Sequence, residues 1–216
     1  MERKITALKA QKKNPNRVSV YLDGEYAFGL AKIVAAWLQV GQVLTDEKID
    51  QLQAKDAEEV AYQRALRFLS YRPRSESEVR EKLVKLGFEQ QVIDAVIQRL
   101  IDSRFLGDQE FAQTWVENRS TFRPRSRRVL ALELRQKGVE EEIIQEALHE
   151  NVDDQELAYK AAIQYSRRLE GLEWEDFRKR LSGFLGRRGF SYGTIAPVVK
   201  QLWSEMHSGE GNDATW

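Results

Sequence analysis

The chain repeats itself with a period of fifty-one residues. Tyr71-Arg72-Pro73-Arg74-Ser75 returns as Phe122-Arg123-Pro124-Arg125-Ser126, an aromatic followed by R-P-R-S both times. Leu83, Leu134 and Leu185 share the spacing, as do Gly87, Gly138 and Gly189, then Phe88, Val139 and Phe190, then Ile93, Ile144 and Ile195. Such a period is the signature of stacked supersecondary units, each too small to bury its apolar face alone. The third copy lacks R-P-R-S and carries Glu173 to Phe177 there instead. Its first helix is shifted, since Glu156-Leu157-Ala158-Tyr159 resembles Glu59-Val60-Ala61-Tyr62 at an offset of ninety-seven.

Each copy parses into three helices, because apolar residues recur at helical spacing between breakers. In the first copy they run from Ala57 to Tyr71, Ser75 to Leu86 and Glu89 to Ser103. Pro73 disfavours helix at Arg72 and ends the first. Ser75 with Glu78 is a capping box for the second. Gly87 fits the left-handed residue that closes that helix, which makes Leu83 and Phe88 the touching pair of a Schellman motif; Leu134/Val139 and Leu185/Phe190 repeat it. The third helix carries a broad stripe of Val92, Ile93, Val96, Ile97, Leu100 and Ile101.

Ahead of the repeats the period changes to two. Arg17 to Leu22 and Glu25 to Leu30 flank Asp23-Gly24, a two-residue hairpin signal, and Ile5 to Ala10 reads as a third strand. A helix through Ile33, Val34, Trp37 and Leu38 follows, then Gly41, then Thr45 as N-cap of a helix containing Ile49 and Leu52. The expected fold is mainly α, an elongated array of three tandem three-helix repeats behind a small N-terminal β-hairpin or meander. Its divisions are 1–55 for the hairpin and short helices, 56–106, 107–155 and 156–207 for the repeats, and a disordered tail over 208–216.

Composition narrows the function. Lys and Arg number thirty-four against thirty-four Asp and Glu, so the chain is no uniformly basic coat for nucleic acid, yet 31% charged residues leave room for separated patches. There is no cysteine, and His149 and His207 are too few and too isolated for a metal cage. No phosphate-binding loop, dinucleotide fingerprint or hydrolase motif occurs, and Gly183-Phe184-Leu185-Gly186, which has the form of a backbone clamp, aligns inside a helix. The expectation is a cytoplasmic non-enzyme with no catalytic residue, metal or cofactor, no apolar signal core after Met1 and no membrane partner.

Charge is segregated. Between Glu117 and Glu133 stand five arginines, Arg119, Arg123, Arg125, Arg127 and Arg128, and no acid. From Val139 to Glu156 there are eight acids and no Lys or Arg. Arg72, Arg74 and Arg80 mark the same region of the first copy, and Arg178, Lys179, Arg180, Arg187 and Arg188 that of the third. Arginines beside a helix start run against the helix dipole, an arrangement that attracts phosphate or carboxylate. The alternative is pairing with the acidic run of the same or a neighbouring repeat. The candidate partner- or DNA-binding residues are therefore Arg72, Arg74, Arg119, Arg123, Arg125, Arg127, Arg128, Arg178, Arg187 and Arg188. Trp115 and Phe122 suit stacking on bases, but at helical spacing they read first as core, as do Trp37, Trp174 and Trp203.

Three segments carry a resemblance. They are Ala65-Leu66-Arg67-Phe68-Leu69-Ser70-Tyr71-Arg72-Pro73-Arg74-Ser75 with Glu78, then Phe105-Leu106-Gly107-Asp108 leading to Phe111-Ala112, and Glu133-Leu134-Arg135-Gln136-Lys137-Gly138. On these the chain resembles the RecX family of bacterial regulatory proteins, across the hairpin and all three repeats. The family usually has two acids where Gly107-Asp108 stands, and often Gly where Ser126 stands. The resemblance implies a monomeric modulator of the RecA recombinase in DNA repair, homologous recombination and the SOS response. It would bind the RecA filament on single-stranded DNA and inhibit ATP hydrolysis, strand exchange and coprotease action. Two other readings stand beside it: a direct, helix-turn-helix-like nucleic-acid binder, and a helical-repeat scaffold for protein interactions.

Overall fold

The computed structural model describes residues 1–149 and 152–207. The expected disordered tail from Ser208 and the acid Glu150 lie outside the described residues. The chain divides into two units, Met1–Gly107 and one that begins at Asp108.

In the first unit, strands β1 (Glu2–Gln11), β2 (Asn14–Leu22), β3 (Glu25–Ala31) and β4 (Val43–Thr45) form an antiparallel sheet in the order β3-β2-β1-β4. Asp23 at φ 50° and Gly24 at φ 93° make the two-residue turn between Leu22 and its partner Glu25. The period-two pattern buries Ile5, Val20, Leu22, Phe28 and Leu30 together. The helix expected through Leu38 is a single turn, α1 (Lys32–Ala35). The Leu38 amide turns back onto the Ala35 carbonyl, and Gly41, at φ 95°, donates to the Ile5 carbonyl, which redirects the chain into β4. Trp37 consequently stands 88% exposed and is not a core residue.

Helix α2 (Asp46–Leu69) starts at the expected N-cap, Thr45, whose Oγ1 accepts from the Lys48 amide. It then continues through both helices read around Ile49 and from Ala57, because Gln53 to Glu58 contain no breaker. Asp56 fixes its middle to the sheet by accepting from Arg17 Nη2 at 2.8 Å and from the Ala31 amide. One end, Ile49 and Leu52, lies in the sheet core; the other, Ala61, Tyr62 and Ala65, packs with α3 (Glu76–Lys85) and α4 (Gln90–Asp102).

The second unit holds α5 (Asp108–Phe122), α6 (Arg127–Gln136), α7 (Glu141–His149), α8 (Asp154–Ser166), α9 (Trp174–Arg187) and α10 (Tyr192–His207). The second and third repeats share one core, running from Phe111, Ala112 and Val116 through Leu130, Leu134 and Ile144 to Leu157, Phe177, Leu185 and Val199. Gly183 and Gly186 are inside α9, as their alignment required, so no clamp loop exists there. No helix among the described residues is long and apolar enough to cross a membrane.

All three expected glycine caps form. Gly87, Gly138 and Gly189 have φ of 82°, 74° and 92°. The Phe88, Val139 and Phe190 amides donate to the Leu83, Leu134 and Leu185 carbonyls at 3.3, 3.2 and 3.4 Å. The glycine amides reach Val84, Arg135 and Gly186 at 2.9 Å each, completing both bonds of the Schellman motif. A fourth such cap closes α4 without glycine: Arg104 takes φ 57°, and Phe105 donates to Leu100.

The caps differ in surroundings. A Cβ on Gly87 would meet nothing within 4 Å, whereas one on Gly189 would sit 2.3 Å from Val129 Cγ2 and 2.6 Å from Ser126 Oγ on the second repeat. Gly87→Ala is expected to cost about 1 kcal/mol, the left-handed penalty alone. Gly189→Ala adds overpacking and should cost about 2–4 kcal/mol. Val129→Ala in the same chain should recover part of that loss. Urea unfolding followed by circular dichroism checks both, and equal losses at the two glycines would contradict the packing argument.

Candidate functional site

The two R-P-R-S elements have the same backbone and different electrostatics. In the first, Ser75 Oγ accepts from the Glu78 amide and the Glu78 carboxylate returns to the Ser75 amide, forming the expected capping box. Glu78 also binds Arg72 bidentately, at 2.8 and 3.3 Å, and lies 3.9 Å from Arg74. Arg74 packs over the Phe68 ring at 4.0 Å with its Nε buried and without an acceptor. Burial, then the Arg72 charge, lowers its pKa against the opposing pull of Glu78.

Fifty-one residues on, three columns change together: Phe68 becomes Arg119, Glu78 becomes Val129 and Lys82 becomes Glu133. Without an acid at the helix start, Glu133 one turn further along takes over. It accepts from Arg119 Nε at 2.8 Å, Trp115 Nε1 at 2.9 Å and Arg125 Nη1 at 3.1 Å. The start of α6 is not open to an external anion either. Ser126 Oγ accepts from Val129, and the Asp154 carboxylate accepts from the Arg127 amide at 2.6 Å. Internal carboxylates thus stand where the helix-dipole argument placed a ligand.

The candidate arginines therefore separate into groups. Arg72, Arg74, Arg119 and Arg125 pair with Glu78 or Glu133, not with the acidic run. Arg178 pairs with Glu175 at 2.7 Å. Arg188 donates from Nη1 to the Pro124 carbonyl at 2.8 Å and covers the Phe184 ring at 4.5 Å. Burial, then the charges of Arg125 and Arg123, lowers its pKa. Arg123, Arg127, Arg128 and Arg187 have no carboxylate within 4.0 Å among the described residues. The structure thus gathers Arg123, Arg125 and Arg188 at one place and leaves Arg127 and Arg128 on the adjoining helix start.

The aromatics sort differently from the expectation. Trp115, Trp174 and Trp203 pack on the shared core, but Phe122 is 72% exposed and its counterpart Tyr71 is 71% exposed. Phe122 is the last residue of α5 and Tyr71 lies two residues beyond the end of α2, both just before the proline turn, where the chain leaves the core. Glu78 and Glu133 were not visible as partners from composition; the paired column changes at 68/119, 78/129 and 82/133 were the available signal. On α7, Arg135 from the end of α6 binds Glu141 bidentately at 2.7 Å twice. Glu140, Glu142 and Glu146 face solvent beside it. Among the described residues, no group of three or more His, Cys, Asp and Glu is arranged to hold a metal ion.

Family models of RecX match most of the chain: the N-terminal domain over residues 3–45, and the first, second and third three-helix domains over 61–100, 108–148 and 153–199. The regulatory protein RecX of Bacillus subtilis (strain 168) is 36% identical over 202 residues, 92% of this chain and 76% of that protein. The chain belongs to the RecX family. Its RecX relative from Listeria monocytogenes serotype 4b is 34% identical over 94% of this chain and 77% of that protein. A crystal structure of a regulatory protein RecX matches with a TM-score of 0.71 at 28% identity, covering 92% of this chain and 99% of that one. RecX from Lactobacillus salivarius gives 0.59 at 27% identity, over 68% and 97%. RecX relatives are named regulatory proteins, and the three-helix domains and small antiparallel sheet are those of this family.

Glu133→Ala leaves Arg119, Arg125 and the Trp115 indole without their acceptor and should destabilise the second unit by about 2–3 kcal/mol, read from urea unfolding. The pH dependence of the α6–α7 junction has a definite sign. Arg135 and Gln145 hold the Glu141 carboxyl at about 2, below its ordinary 4.5. The stabilisation is therefore fully present above about pH 4.5 and lost as pH falls toward about 2. Glu141→Gln should melt below the parent at neutral pH and converge with it on acidification through that window.

Proposed function

We propose that this chain binds the RecA filament assembled on single-stranded DNA and restrains its ATP hydrolysis, strand exchange and coprotease action. The observation that carries the reading is the match to four RecX domains over most of the chain. Local chemistry supports a binding role. The second repeat presents Arg123 in the turn before α6 and Arg127 and Arg128 at its start, none paired with a carboxylate among the described residues, and exposed Glu140, Glu142 and Glu146 at and within α7. A surface with both signs of charge is complementary to a nucleoprotein, which offers phosphate and protein together, and it disfavours indiscriminate coating of DNA. No catalytic constellation is needed for restraint of this kind. Cytoplasmic residence and a monomeric state complete the proposal.

The direct test is RecA ATPase on single-stranded DNA titrated with the chain. Inhibition is expected, and Arg123→Ala, Arg127→Ala and Arg128→Ala together should raise the half-inhibitory concentration at least about tenfold without changing the melting curve. Full inhibition by the triple variant at the parent's concentration would remove this face from the reading. Binding to bare DNA with a steep salt slope and no effect on RecA would favour the direct nucleic-acid binder instead.

A further inference from the structure

The second unit assembles a cationic group that the acids among its described residues do not neutralise. Arg188 belongs to the third repeat, yet its Nη1 bonds the Pro124 carbonyl at 2.8 Å, and its own carbonyl accepts from the Ser126 amide at 3.1 Å. Pro124 lies between Arg123 and Arg125, so these two bonds set three guanidinium groups around one turn. The arrangement is fixed from behind: Arg188 covers Phe184 at 4.5 Å, and Phe184 stacks on Tyr165 at 4.0 Å and 5°. Glu133 reaches Arg125 alone among the three and is shared with Arg119 and Trp115. Arg125 Nε is buried without an acceptor. Like charges held together at fixed positions form a preorganised anion site, because the repulsion is already present before an anion arrives.

We propose that Arg123, Arg125 and Arg188 hold a phosphodiester of single-stranded nucleic acid while Phe122 stacks on the adjoining base. The proposal rests on the filament reading above and assigns it one site. Phe122 decides the class of ligand. An aromatic ring 72% exposed, adjacent in the chain to an unpaired arginine, matches a nucleotide, in which a flat base lies next to a phosphate. An acidic peptide offers no such flat face. The first repeat is the internal contrast: Tyr71 is equally exposed, but Glu78 already binds Arg72 bidentately, and Val129 stands in that column of the second repeat.

The intact chain is titrated with fluorescein-labelled oligodeoxythymidylate at several salt concentrations, with polyglutamate as competitor. Phe122→Ala is expected to weaken binding about tenfold. Arg123→Glu should weaken it at least about tenfold and reduce the salt slope by about one. Both side chains are exposed, so melting curves should match the parent. Arg64→Glu, the same charge change on exposed α2, should stay within about threefold. The proposal is overturned if the parent does not bind, if Phe122→Ala and Arg123→Glu bind as Arg64→Glu does, or if polyglutamate displaces the probe as well as unlabelled oligonucleotide does, which would identify an acidic protein surface instead. RecA ATPase measured in parallel separates this from the filament reading. Oligonucleotide binding through Phe122 and Arg123 with no effect on RecA keeps the subsite and sinks the filament reading. Undiminished inhibition by variants that no longer bind oligonucleotide keeps the subsite and the filament reading but overturns the assignment of one to the other.

Discussion

A residue in the left-handed conformation at the end of each second helix governs how the repeats are built. It satisfies the last helical carbonyls and brings the leucine three residues inside the helix against the apolar residue just beyond it. Leu83, Leu134 and Leu185 are fully buried as a result, and Val139 and Phe190 nearly so. The chain direction after the cap is then set, and the third helices begin at Gln90, Glu141 and Tyr192, on the period of the sequence itself. The second helices end on it too, at Lys85, Gln136 and Arg187. Their starts are less regular. Where Pro73 and Pro124 are present the helix begins at Glu76 and Arg127; in the third copy, without the proline, α9 begins at Trp174 instead of Arg178.

This explains which parts of the fold were legible in the sequence. Caps, the capping box at Ser75 and the Asp23-Gly24 turn depend on residues close in the chain, so spacing alone locates them. Features that depend on distant partners were not. Trp37 has helical spacing with Ile33 and Val34, yet the helix stops because β4 must reach β1, a long-range pairing. The continuity of α2 depends on Asp56 meeting Arg17, thirty-nine residues away. Arg104 adopts a glycine's conformation with no glycine to announce it, because buried Leu100 and Leu106 fix the chain on either side.

The candidate site shows the same division. Its basic character was visible as an acid-free window, and the exposed face of that window includes Arg123 and Arg128. What the window concealed was pairing across turns of helix. Glu133 closes the window in sequence and, one helical turn from Val129, serves three donors at its centre. Likewise the acidic run is no simple counterweight to the arginines. Asp154 from that run contributes by capping α6 through a backbone amide, while Glu140, Glu142 and Glu146 remain on the surface. Overall neutrality therefore coexists with local excesses of both signs within one repeat.

Fold and site are joined at Gly189. As a cap it must accept φ 92°, and as a packing element it must have no Cβ, since Val129 and Ser126 already occupy that space. The close approach brings the preceding residue, Arg188, onto the R-P-R-S turn, where its carbonyl meets the Ser126 amide and its side chain meets Pro124. A side chain at 189 would have to move α6 away, and both Arg188 bonds would lengthen with it. The first repeat has no equivalent constraint, because the space around Gly87 is open and the arginines of its R-P-R-S turn share Glu78 as a local partner. A duplicated backbone can thus diverge in chemistry by two local changes. Loss of the capping-box acid at Val129 leaves Arg123 without a carboxylate partner among the described residues, and a tight glycine contact adds a third cation from the neighbouring repeat.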